Sequence, residues 1–275
     1  MPESSQATDA SWSRALALAR DALAVSPGGL LTDYDGTLSR IVPDPSAATL
    51  ADGAGPALEA LAQRLAVVAF VTGRAALDVR RLSGLERVLV AGNHGTELLE
   101  PGGETSQSTV DRGVIERALT EALARVPDLA GLRVEHKGLS ASVHYRDVDD
   151  PTVARDAVHA ALGSLDGTGL VARDGRMIVE IVPTAAGDKG TATRTIAARF
   201  GLRGLVVLGD DVTDLDMFRA ADDLRAAEGV RVAIIGVGSG GEAPAEVAAA
   251  ADAVVADAPA AAALLAALAA GHAAD

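Results

Sequence analysis

Apolar residues recur along the chain in two alternating patterns, one typical of buried strands and one typical of helices. Segments with helical spacing of apolar positions separate the strand-like runs. The apolar runs that do not alternate with polar residues are 30–32, 66–71, 88–92, 205–209 and 232–238. Strands that are apolar on both faces are typical of a parallel sheet covered by helices on both sides. The pattern therefore predicts an α/β core of the Rossmann-like type.

The pattern changes after Pro101-Gly102-Gly103 and returns near residue 183. Between these points, 110–125 and 151–162 have helical spacing, 132–148 alternates as an antiparallel hairpin would, and a Gly-rich turn precedes a strand over 177–183. This order predicts an inserted α+β unit. The predicted organisation is a core made of two parts, 1–101 and 183–275, with an insertion over 102–182.

The two ends of the chain have their own patterns. Residues 1–9 are polar and are predicted to fray, and 12–24 has the spacing of an amphipathic helix. This helix is expected to pack onto the core, and the alternative is a face that docks a partner. The Ala-rich segment 258–270 is helical by propensity.

Composition and charge exclude several classes of partner and chemistry. The 275 residues contain 24 Lys and Arg against 38 Asp and Glu, a net charge of -14, which disfavours nucleic acid and anionic membranes as partners. With no Cys, disulfides and thiolate chemistry are excluded. No signal peptide is evident, and Asp252, Asp257 and Pro259 interrupt the most apolar stretch, so a bilayer span is not expected. We expect a cytoplasmic protein. The sequence does not determine its oligomeric state, and a monomer is slightly favoured.

Carboxylates follow the first apolar run directly, in the string Asp33-Tyr34-Asp35-Gly36-Thr37. Residues at the end of a parallel strand lie at the sheet edge where such folds bind ligands. Taken alone, the pair of acids is equally compatible with solvated loop residues.

Three further strings favour a site. Thr72-Gly73-Arg74 ends the second apolar run, the segment 187–190 (GDKG) opens a helix, and 209–214 (GDDVTD) ends another strand. All four strings can share one edge of one sheet. Together they provide acids that suit Mg²⁺, a hydroxyl group, a lysine and helix N-termini, which are the groups needed to bind a phosphate.

These strings, DYDGTL, VTGR, DKG and GDDVTD, resemble in sequence and order the motifs of the haloacid dehalogenase-like phosphatases. More narrowly, GNHGTE (92–97), SVHYR (142–146), VEIVP (179–183) and GDDVTDLDMF are similar to the trehalose-6-phosphate phosphatase family. The resemblance covers residues 30–265. Leu215 stands where that family commonly has an acid.

The resemblance implies a role for each core motif. Asp33 would be the nucleophile, and Asp35 would protonate the leaving sugar oxygen and then deprotonate water. Thr72 would donate a hydrogen bond to a phosphoryl oxygen, and Lys189 would balance charge. Lys189 is one of only two lysines, the other being Lys137, in a chain that otherwise uses Arg.

A Mg²⁺ ion is the cofactor that the resemblance implies. Its protein ligands would be Asp33, the backbone carbonyl of Asp35, and Asp210, with Asp211 or Asp214 holding a coordinated water.

The insertion would be the cap that closes over the substrate, a small sugar phosphate. The candidate substrate-binding residues are Gly36, Arg74, Asn93, His94 and Glu97 in the core, and Lys137, Ser140, His144, Arg146, Arg176 and Glu180 in the cap. The alternative for the cap residues is an ordinary solvated sheet face.

The function that the resemblance implies is Mg²⁺-dependent hydrolysis of trehalose 6-phosphate to trehalose and inorganic phosphate, through a phosphorylated Asp33. The alternatives are a phosphatase for another sugar phosphate, such as a sucrose or glucosyl/mannosyl-glycerate phosphate, and a phosphoacceptor module without turnover.

Gly236, Gly238 and Gly241 spell G-x-G-x-x-G, but no second nucleotide-binding half follows, so a Gly-rich loop is predicted. A transition-metal site at His136 and His144 is disfavoured, because two histidines eight residues apart on a predicted hairpin, with no further ligand, are more often incidental.

Overall fold

The computed structural model describes residues 3–42, 44–104, 107–108, 111–137, 139–163, 165, 167–175, 177–184, 187–238 and 243–271. The chain divides into two compact units, Met1–Ser106 with Gly187–Asp275, and Gln107–Ala186. The predicted insertion, 102–182, differs from the second unit by a few residues at each end.

The helices of the described residues are α1 (Glu3–Leu23), α2 (Ala54–Ala62), α3 (Ala76–Ser83), α4 (Arg112–Leu123), α5 (Pro151–Leu162), α6 (Lys189–Phe200), α7 (Leu215–Glu228), α8 (Ala245–Ala250) and α9 (Ala258–Gly271). The strands are β1 (Gly28–Thr32), β2 (Val67–Val71), β3 (Leu89–Gly92), β4 (Glu97–Leu99), β5 (Gln107–Ser108), β6 (Arg133–His136), β7 (Ala141–His144), β8 (Leu170–Gly175), β9 (Ile178–Pro183), β10 (Gly204–Gly209), β11 (Arg231–Val237) and β12 (Ala253–Val255).

The sheet of the first unit has the strand order β12-β11-β10-β1-β2-β3-β4. All neighbouring pairs are parallel except β3 and β4. The central strand β1 lies between β10 and β2, so the chain leaves β1 at the point where the strand order reverses. Ligands bind at this switch point in open α/β sheets.

Both faces of this sheet are covered, which explains why its strands are apolar without alternation. On one face, Leu30 and Phe70 pack with residues of α1, α2 and α9. On the other face, Leu31 and Val207 pack with residues of α6 and α7. The parallel sheet and the separate α+β unit confirm the predicted α/β fold class.

The second unit contains an antiparallel sheet with the order β6-β7-β9-β8. Alternate residues such as Val143 and Ile181 pack against Ile115, Leu119 and Val158 of its two helices. The other alternate residues form a second face of the sheet. We call this second face, which carries Ser142, His144 and Glu180, the polar face.

Some elements differ from the pattern predictions. β8 occupies part of the segment predicted as a Gly-rich turn. Its six residues, LVARDG, are half-exposed or exposed except for the first, because β8 is an edge strand, and its strand conformation depends on pairing with β9. The prediction that residues 1–9 fray is wrong from Glu3 onward, where α1 already begins.

Helix α1 packs on its own core. Ala15, Ala19 and Ala22 are fully buried, the indole Nε1 of Trp12 donates to the Ala260 carbonyl at 3.2 Å, and Ser11 Oγ donates to the Val254 carbonyl at 2.5 Å. The face considered for partner docking is therefore used for internal packing. Among the helices that the structure describes, none has both the length and the apolar character needed to cross a bilayer.

Candidate active site

Asp33 follows β1 directly and is held on two sides. Its backbone N–H donates to the Leu208 carbonyl of β10 at 3.0 Å, which extends the parallel ladder by one residue. Its side chain is 9% exposed, and Oδ1 lies 3.0 Å from Nζ of Lys189. The strand ladder therefore fixes where this carboxylate lies, at the switch point of the sheet.

Lys189 is the first residue of α6, and Asp188 is the N-cap whose Oδ1 accepts from the Thr191 N–H at 2.6 Å. The Lys189 side chain is 3% exposed, and Nζ bridges Asp33 Oδ1 and Asp214 Oδ1, the second at 2.7 Å. Burial acts to lower the pKa of Lys189, but Asp214 and Asp33 outweigh it and raise that pKa above its usual value. The lysine is therefore a permanent cation between two carboxylates.

Asp214 organises the loop that follows β10. Its Oδ2 accepts the backbone N–H groups of Asp210 and Asp211 at 2.9 and 3.0 Å, and the Asp211 side chain accepts the N–H of Asp214 in return. Because Asp214 Oδ1 is paired with Lys189, both of its oxygens are engaged within the protein. Asp211 is half-buried in the same turn.

Asp210 is the third carboxylate of the cluster and is 4% exposed. Its Oδ1 accepts a hydrogen bond from Thr37 Oγ1 at 2.7 Å, across 173 positions of sequence. Thr37 was not predicted as a site residue. Its place at the end of DYDGTL, next to the acids, was the one signal available.

The charges in this cluster do not balance. Ligand oxygens of Asp33, Asp210 and Asp214 all lie within 4.8 Å of one another, with one lysine among them. Burial raises the pKa of Asp33 well above its usual value, although Lys189 opposes the shift. Burial, followed by the charge of Asp214, raises the pKa of Asp210 to about 7. Three buried carboxylates facing one ammonium group are a set that a further cation would stabilise.

Mg²⁺ fits this donor set. The donors are hard carboxylate oxygens, and one oxygen each of Asp33 and Asp210 is already used by Lys189 and Thr37, which orients the other. Asp33 and Asp210 are the residues that would hold the ion. The pKa values of Asp33 and Asp210 are raised because their negative charge is buried and uncompensated. A bound divalent cation would compensate that charge.

The unbalanced charge predicts how the stability of the metal-free protein depends on pH. The folded pKa of Asp210, about 7, lies above the ordinary value of 3.8, so the native state binds more protons than the unfolded state between these pH values. The unfolding free energy should therefore fall as pH rises from 4 to 7, by at most about 1.4 kcal/mol per pH unit for this group. Urea unfolding in a chelator at several pH values measures the slope.

Asp210→Asn is the control for that slope. The variant should have a flatter pH dependence than the wild type over the same range, and saturating Mg²⁺ should stabilise the wild type more at pH 8 than at pH 5. An equally steep slope in Asp210→Asn would contradict the assignment to this carboxylate.

Gly36 brings the backbone against the carboxylate cluster. It has φ +82°, and a Cβ there would lie 2.0 Å from Asp210 Oδ2. Only glycine allows both the left-handed conformation and this close approach.

Gly36→Ala is therefore expected to displace Asp210 and to lower the phosphatase activity that the sequence resemblance implies by at least about 10²-fold, since small misplacements of reacting groups cost that much. Gly53→Ala is the matched control, because Gly53 has φ +85° with no atom within 4 Å of the added Cβ. Both variants place alanine in a left-handed backbone, so the strain of that conformation lowers the unfolding midpoint of both. Only Gly36→Ala adds a clash with Asp210, so the difference in activity between the two variants measures the effect of that clash. Equal activities would refute the role of this contact.

Asp35 is the third residue after β1 and is paired with Arg74. Arg74 Nε and Nη2 donate to Asp35 Oδ2 and Oδ1 at 2.5 and 2.7 Å, a bidentate pair. Thr72, at the end of β2, is 1% exposed, and its Oγ1 accepts the Arg74 N–H at 3.2 Å. The structure thus brings these two predicted core motifs together with Asp33.

The loop after β3 is hydrogen-bonded to the turn formed by Thr72, Gly73 and Arg74. The N–H groups of Asn93 and His94 donate to the carbonyls of Arg74 and Thr72 at 2.7 and 2.9 Å. Both residues have left-handed backbones, with φ 47° and 56°, a strained conformation of the kind found at functional sites. Glu97 is buried, and its Oε2 accepts the N–H of Ala76 at the start of α3.

On the polar face of the second unit, Lys137 and Glu180 are paired. Lys137 Nζ and Ser142 Oγ lie 3.3 and 3.4 Å from Glu180 Oε1, and the side chains of Lys137 and Glu180 are 15% and 13% exposed. Ser142 and Arg173 lie opposite Glu180 on the two neighbouring strands. Ser142 was not predicted as a site residue, because its position opposite Glu180 depends on the pairing of β7 with β9, which the sequence does not show.

His144 and His136 lie on different faces of this sheet. His144 pairs in register with Arg133, whereas His136 pairs with Ala141, which belongs to the packed face. His144 Nε2 lies 2.9 Å from Glu135 Oε2. The two histidines therefore cannot share a metal ion.

The remaining predicted cap residues are placed as follows. Ser140 is 3% exposed and its carbonyl accepts the Lys137 N–H at 2.8 Å. Arg146 is exposed in the turn after β7. Arg176 lies outside the described residues, as does Gly241 of the G-x-G-x-x-G string.

Comparison with known proteins shows that the chain is similar in sequence to trehalose-phosphatases. A family model described as Trehalose-phosphatase matches residues 31–249. The Mycobacterium ulcerans trehalose-phosphate phosphatase is 37% identical over 209 residues, which cover 73% of this chain and 53% of that protein. An uncharacterized glycosyl hydrolase of Mycobacterium tuberculosis is 42% identical over 200 residues, covering 68% of this chain and 15% of that protein.

A solved structure shows the same fold. The C-terminal domain of the Candida albicans trehalose-6-phosphate phosphatase superposes with a TM-score of 0.74 at 21% identity, covering 93% of this chain and 96% of that chain. The chain spans about half the length of the trehalose-phosphate phosphatases that it matches in sequence.

The parallel core and the inserted α+β unit define a protein with the fold of the haloacid dehalogenase-like hydrolases, and the four motifs lie at one edge of its core sheet. Within that class, the chain belongs to the trehalose-phosphatase family.

Proposed function

We propose that this protein hydrolyses trehalose 6-phosphate to trehalose and inorganic phosphate through a phosphorylated Asp33, with Mg²⁺ as cofactor. The observation that carries the proposal is the buried cluster in which Lys189 bridges Asp33 and Asp214 beside Asp210, in a chain of the trehalose-phosphatase family. A nucleophilic carboxylate needs neighbouring positive charge before it can approach a phosphate dianion. This cluster has the carboxylate and one buried ammonium group already in place.

In the first step, an Asp33 carboxylate oxygen attacks phosphorus while the bond from phosphorus to the sugar oxygen breaks. The Asp35 carboxylic acid gives its proton to that sugar oxygen as it leaves. In the second step, the Asp35 carboxylate takes a proton from water as the water oxygen bonds to phosphorus. The bond between Asp33 and phosphorus then breaks and inorganic phosphate is released.

Lys189 and Thr72 have supporting roles in both steps. Lys189 stays charged in its buried place and offsets the negative charge of Asp33 and of the phosphoryl group. Thr72 lies at the end of the neighbouring strand with a buried hydroxyl, suited to donate to a phosphoryl oxygen. Asp214 acts differently, because both of its oxygens hold Lys189 and the loop rather than a ligand.

Mg²⁺, when bound by Asp33, Asp210 and the Asp35 carbonyl, would supply the remaining positive charge that the phosphoryl group and the carboxylates require. Asp211, half-buried in the turn after Asp210, is the acid left to orient water at such an ion, since Asp214 is engaged.

The substrate is the part of the proposal that an assay decides most directly. We expect phosphate release from trehalose 6-phosphate with a kcat/KM at least about 10²-fold above that for sucrose 6-phosphate, glucosyl-glycerate phosphate and glucose 6-phosphate, because only the matched sugar uses all polar contacts. A kcat/KM for trehalose 6-phosphate no higher than for the other sugar phosphates would favour a sister phosphatase. A stable phosphoprotein without phosphate release would favour a phosphoacceptor module.

The paired Lys137 and Glu180 are proposed to bind the sugar. Lys137→Ala should lower kcat/KM for trehalose 6-phosphate by about 10–10²-fold, the cost of losing one or two hydrogen bonds to a charged group. p-Nitrophenyl phosphate has no sugar hydroxyls, so its kcat/KM should change by less than about threefold. Steady-state kinetics with both substrates provide the measurement.

Arg155→Ala is the matched control for Lys137→Ala. Arg155 is a cation of the same unit, 42% exposed and paired with Asp174. Its loss should leave kcat/KM unchanged for both substrates. Equal losses on the two substrates in Lys137→Ala would contradict a role in sugar binding.

A further inference from the structure

The Arg74 side chain is held in place by three residues of the segment between β1 and α2. Its Nε and Nη2 form the bidentate pair with Asp35, Nη1 donates to the Pro45 carbonyl at 2.8 Å, and the guanidinium carbon lies 5.7 Å from the centre of the Tyr34 ring. The side chain is 14% exposed. Its guanidinium is therefore directed at Asp35 and at the short 3₁₀ turn that begins at Pro45.

The main chain of Arg74 is equally constrained. Its N–H donates to Thr72 Oγ1 and its carbonyl accepts the N–H of Asn93 at 2.7 Å. Since both the backbone and the guanidinium are held, Arg74 is a rigid support rather than a mobile surface cation.

Asp35, in contrast, has weak local constraints. It lies beyond the last ladder residue of β1, its side chain is 35% exposed, and its backbone makes a single bridge to Ser39. A carboxyl group that transfers protons must lie within hydrogen-bond reach of the reacting oxygen. The two parallel N–H···O bonds from Arg74 fix both the position and the plane of this carboxylate, which a lysine could not do.

We propose that Arg74 is a positioning residue that orients the Asp35 carboxyl group for proton transfer and ties it to the Pro45 turn. The proposal rests on the proposed phosphatase function, in which Asp35 protonates the leaving oxygen as Asp33 bonds to phosphorus, and then takes a proton from the attacking water. Arg74 acts through Asp35 and not on the phosphoryl group.

The test uses the leaving group. p-Nitrophenolate leaves without a proton, whereas a sugar alkoxide needs one, so a misplaced Asp35 should slow poor leaving groups most. We expect Arg74→Lys to lower kcat/KM by about 10–10²-fold for trehalose 6-phosphate and by less than about threefold for p-nitrophenyl phosphate. Across a series of aryl and alkyl phosphates, log kcat/KM should fall more steeply with leaving-group pKa than in the wild type.

A double variant keeps the result independent of folding losses. In an Asp35→Asn background, Arg74→Lys should cause no further loss, because its effect passes through the carboxylate that is already missing. Arg81→Lys is the control, since Arg81 is a 63% exposed cation that follows the same turn on α3. It should leave both the rates and the slope unchanged.

An equal loss of kcat/KM across all leaving groups, or additive losses in the double variant, would overturn the proposal and indicate that Arg74 binds the phosphoryl group. A wild-type chain that hydrolyses aryl phosphates but not trehalose 6-phosphate would contradict the proposed substrate, and the leaving-group slope would still decide the role of Arg74. A wild-type chain inactive on every phosphomonoester would refute both.

Discussion

Asp33→Asn is expected to lower phosphate release by at least about 10⁴-fold while leaving the fold as stable as the wild type or more so. The loss follows because the amide cannot form the bond to phosphorus. The stability follows because burial raises the pKa of Asp33, so the ionised carboxylate is an unfavourable native group at neutral pH. Removing its charge leaves the pair between Lys189 and Asp214 intact.

The measurements are phosphate release and urea unfolding of the metal-free variant. Asp78→Asn is the matched control, because Asp78 is a half-exposed acid on α3 that pairs only weakly with Arg81 at 3.3 Å. It should leave activity and stability unchanged. Undiminished phosphate release by a folded Asp33→Asn variant would eliminate Asp33 as the nucleophile.

Lys189→Met is expected to lower the unfolding free energy of the metal-free protein by about 3–5 kcal/mol, the typical cost of removing one partner from a buried ion pair. It leaves Asp33, Asp210 and Asp214 together without a cation. The raised pKa of Lys189 means that its stabilising charge is present at neutral pH and below, and is lost only as pH rises through that raised value. The loss should therefore be seen across the whole neutral range.

Adding Mg²⁺ should reduce the destabilisation of Lys189→Met, because a bound cation replaces part of the missing charge. Activity should stay at least about 10³-fold below wild type even then, since the phosphoryl group has lost its fixed ammonium partner. Lys137→Met, the same substitution at the other lysine, should leave the stability of the first unit unchanged. Identical urea midpoints for the two variants would show that the buried ion pair does not hold the core.

The element types of the core could be predicted because its strands are apolar on both faces. Runs such as 66–71 and 205–209 have no polar residue to solvate, so they must be buried between helices. The weaker segments could not be predicted in this way. β8 contains Arg173 and Asp174, which break the apolar pattern, and its strand conformation depends on pairing with β9.

The candidate site divides in the same manner. The proximity of Asp33 and Asp210 could be predicted from the sequence, because both residues follow parallel strands and the carboxyl ends of parallel strands lie at one edge of the sheet. The partner of Arg74 could not be predicted, since nothing in a Thr-Gly-Arg turn says that its guanidinium meets Asp35 rather than a phosphate.

The sequence by itself determined the order of buried strands and helices and the edge of the sheet where the acidic motifs gather, because burial periodicity and strand direction are local properties. Only the tertiary structure decided which charges meet. Contacts such as Thr37 with Asp210 and Arg74 with Asp35 span 173 and 39 positions, and their geometry depends on how the helices pack over the sheet. Tertiary contacts alone show that Asp214 binds Lys189 and the loop after β10. They also show that Arg74 pairs with Asp35, the proposed proton-transfer group.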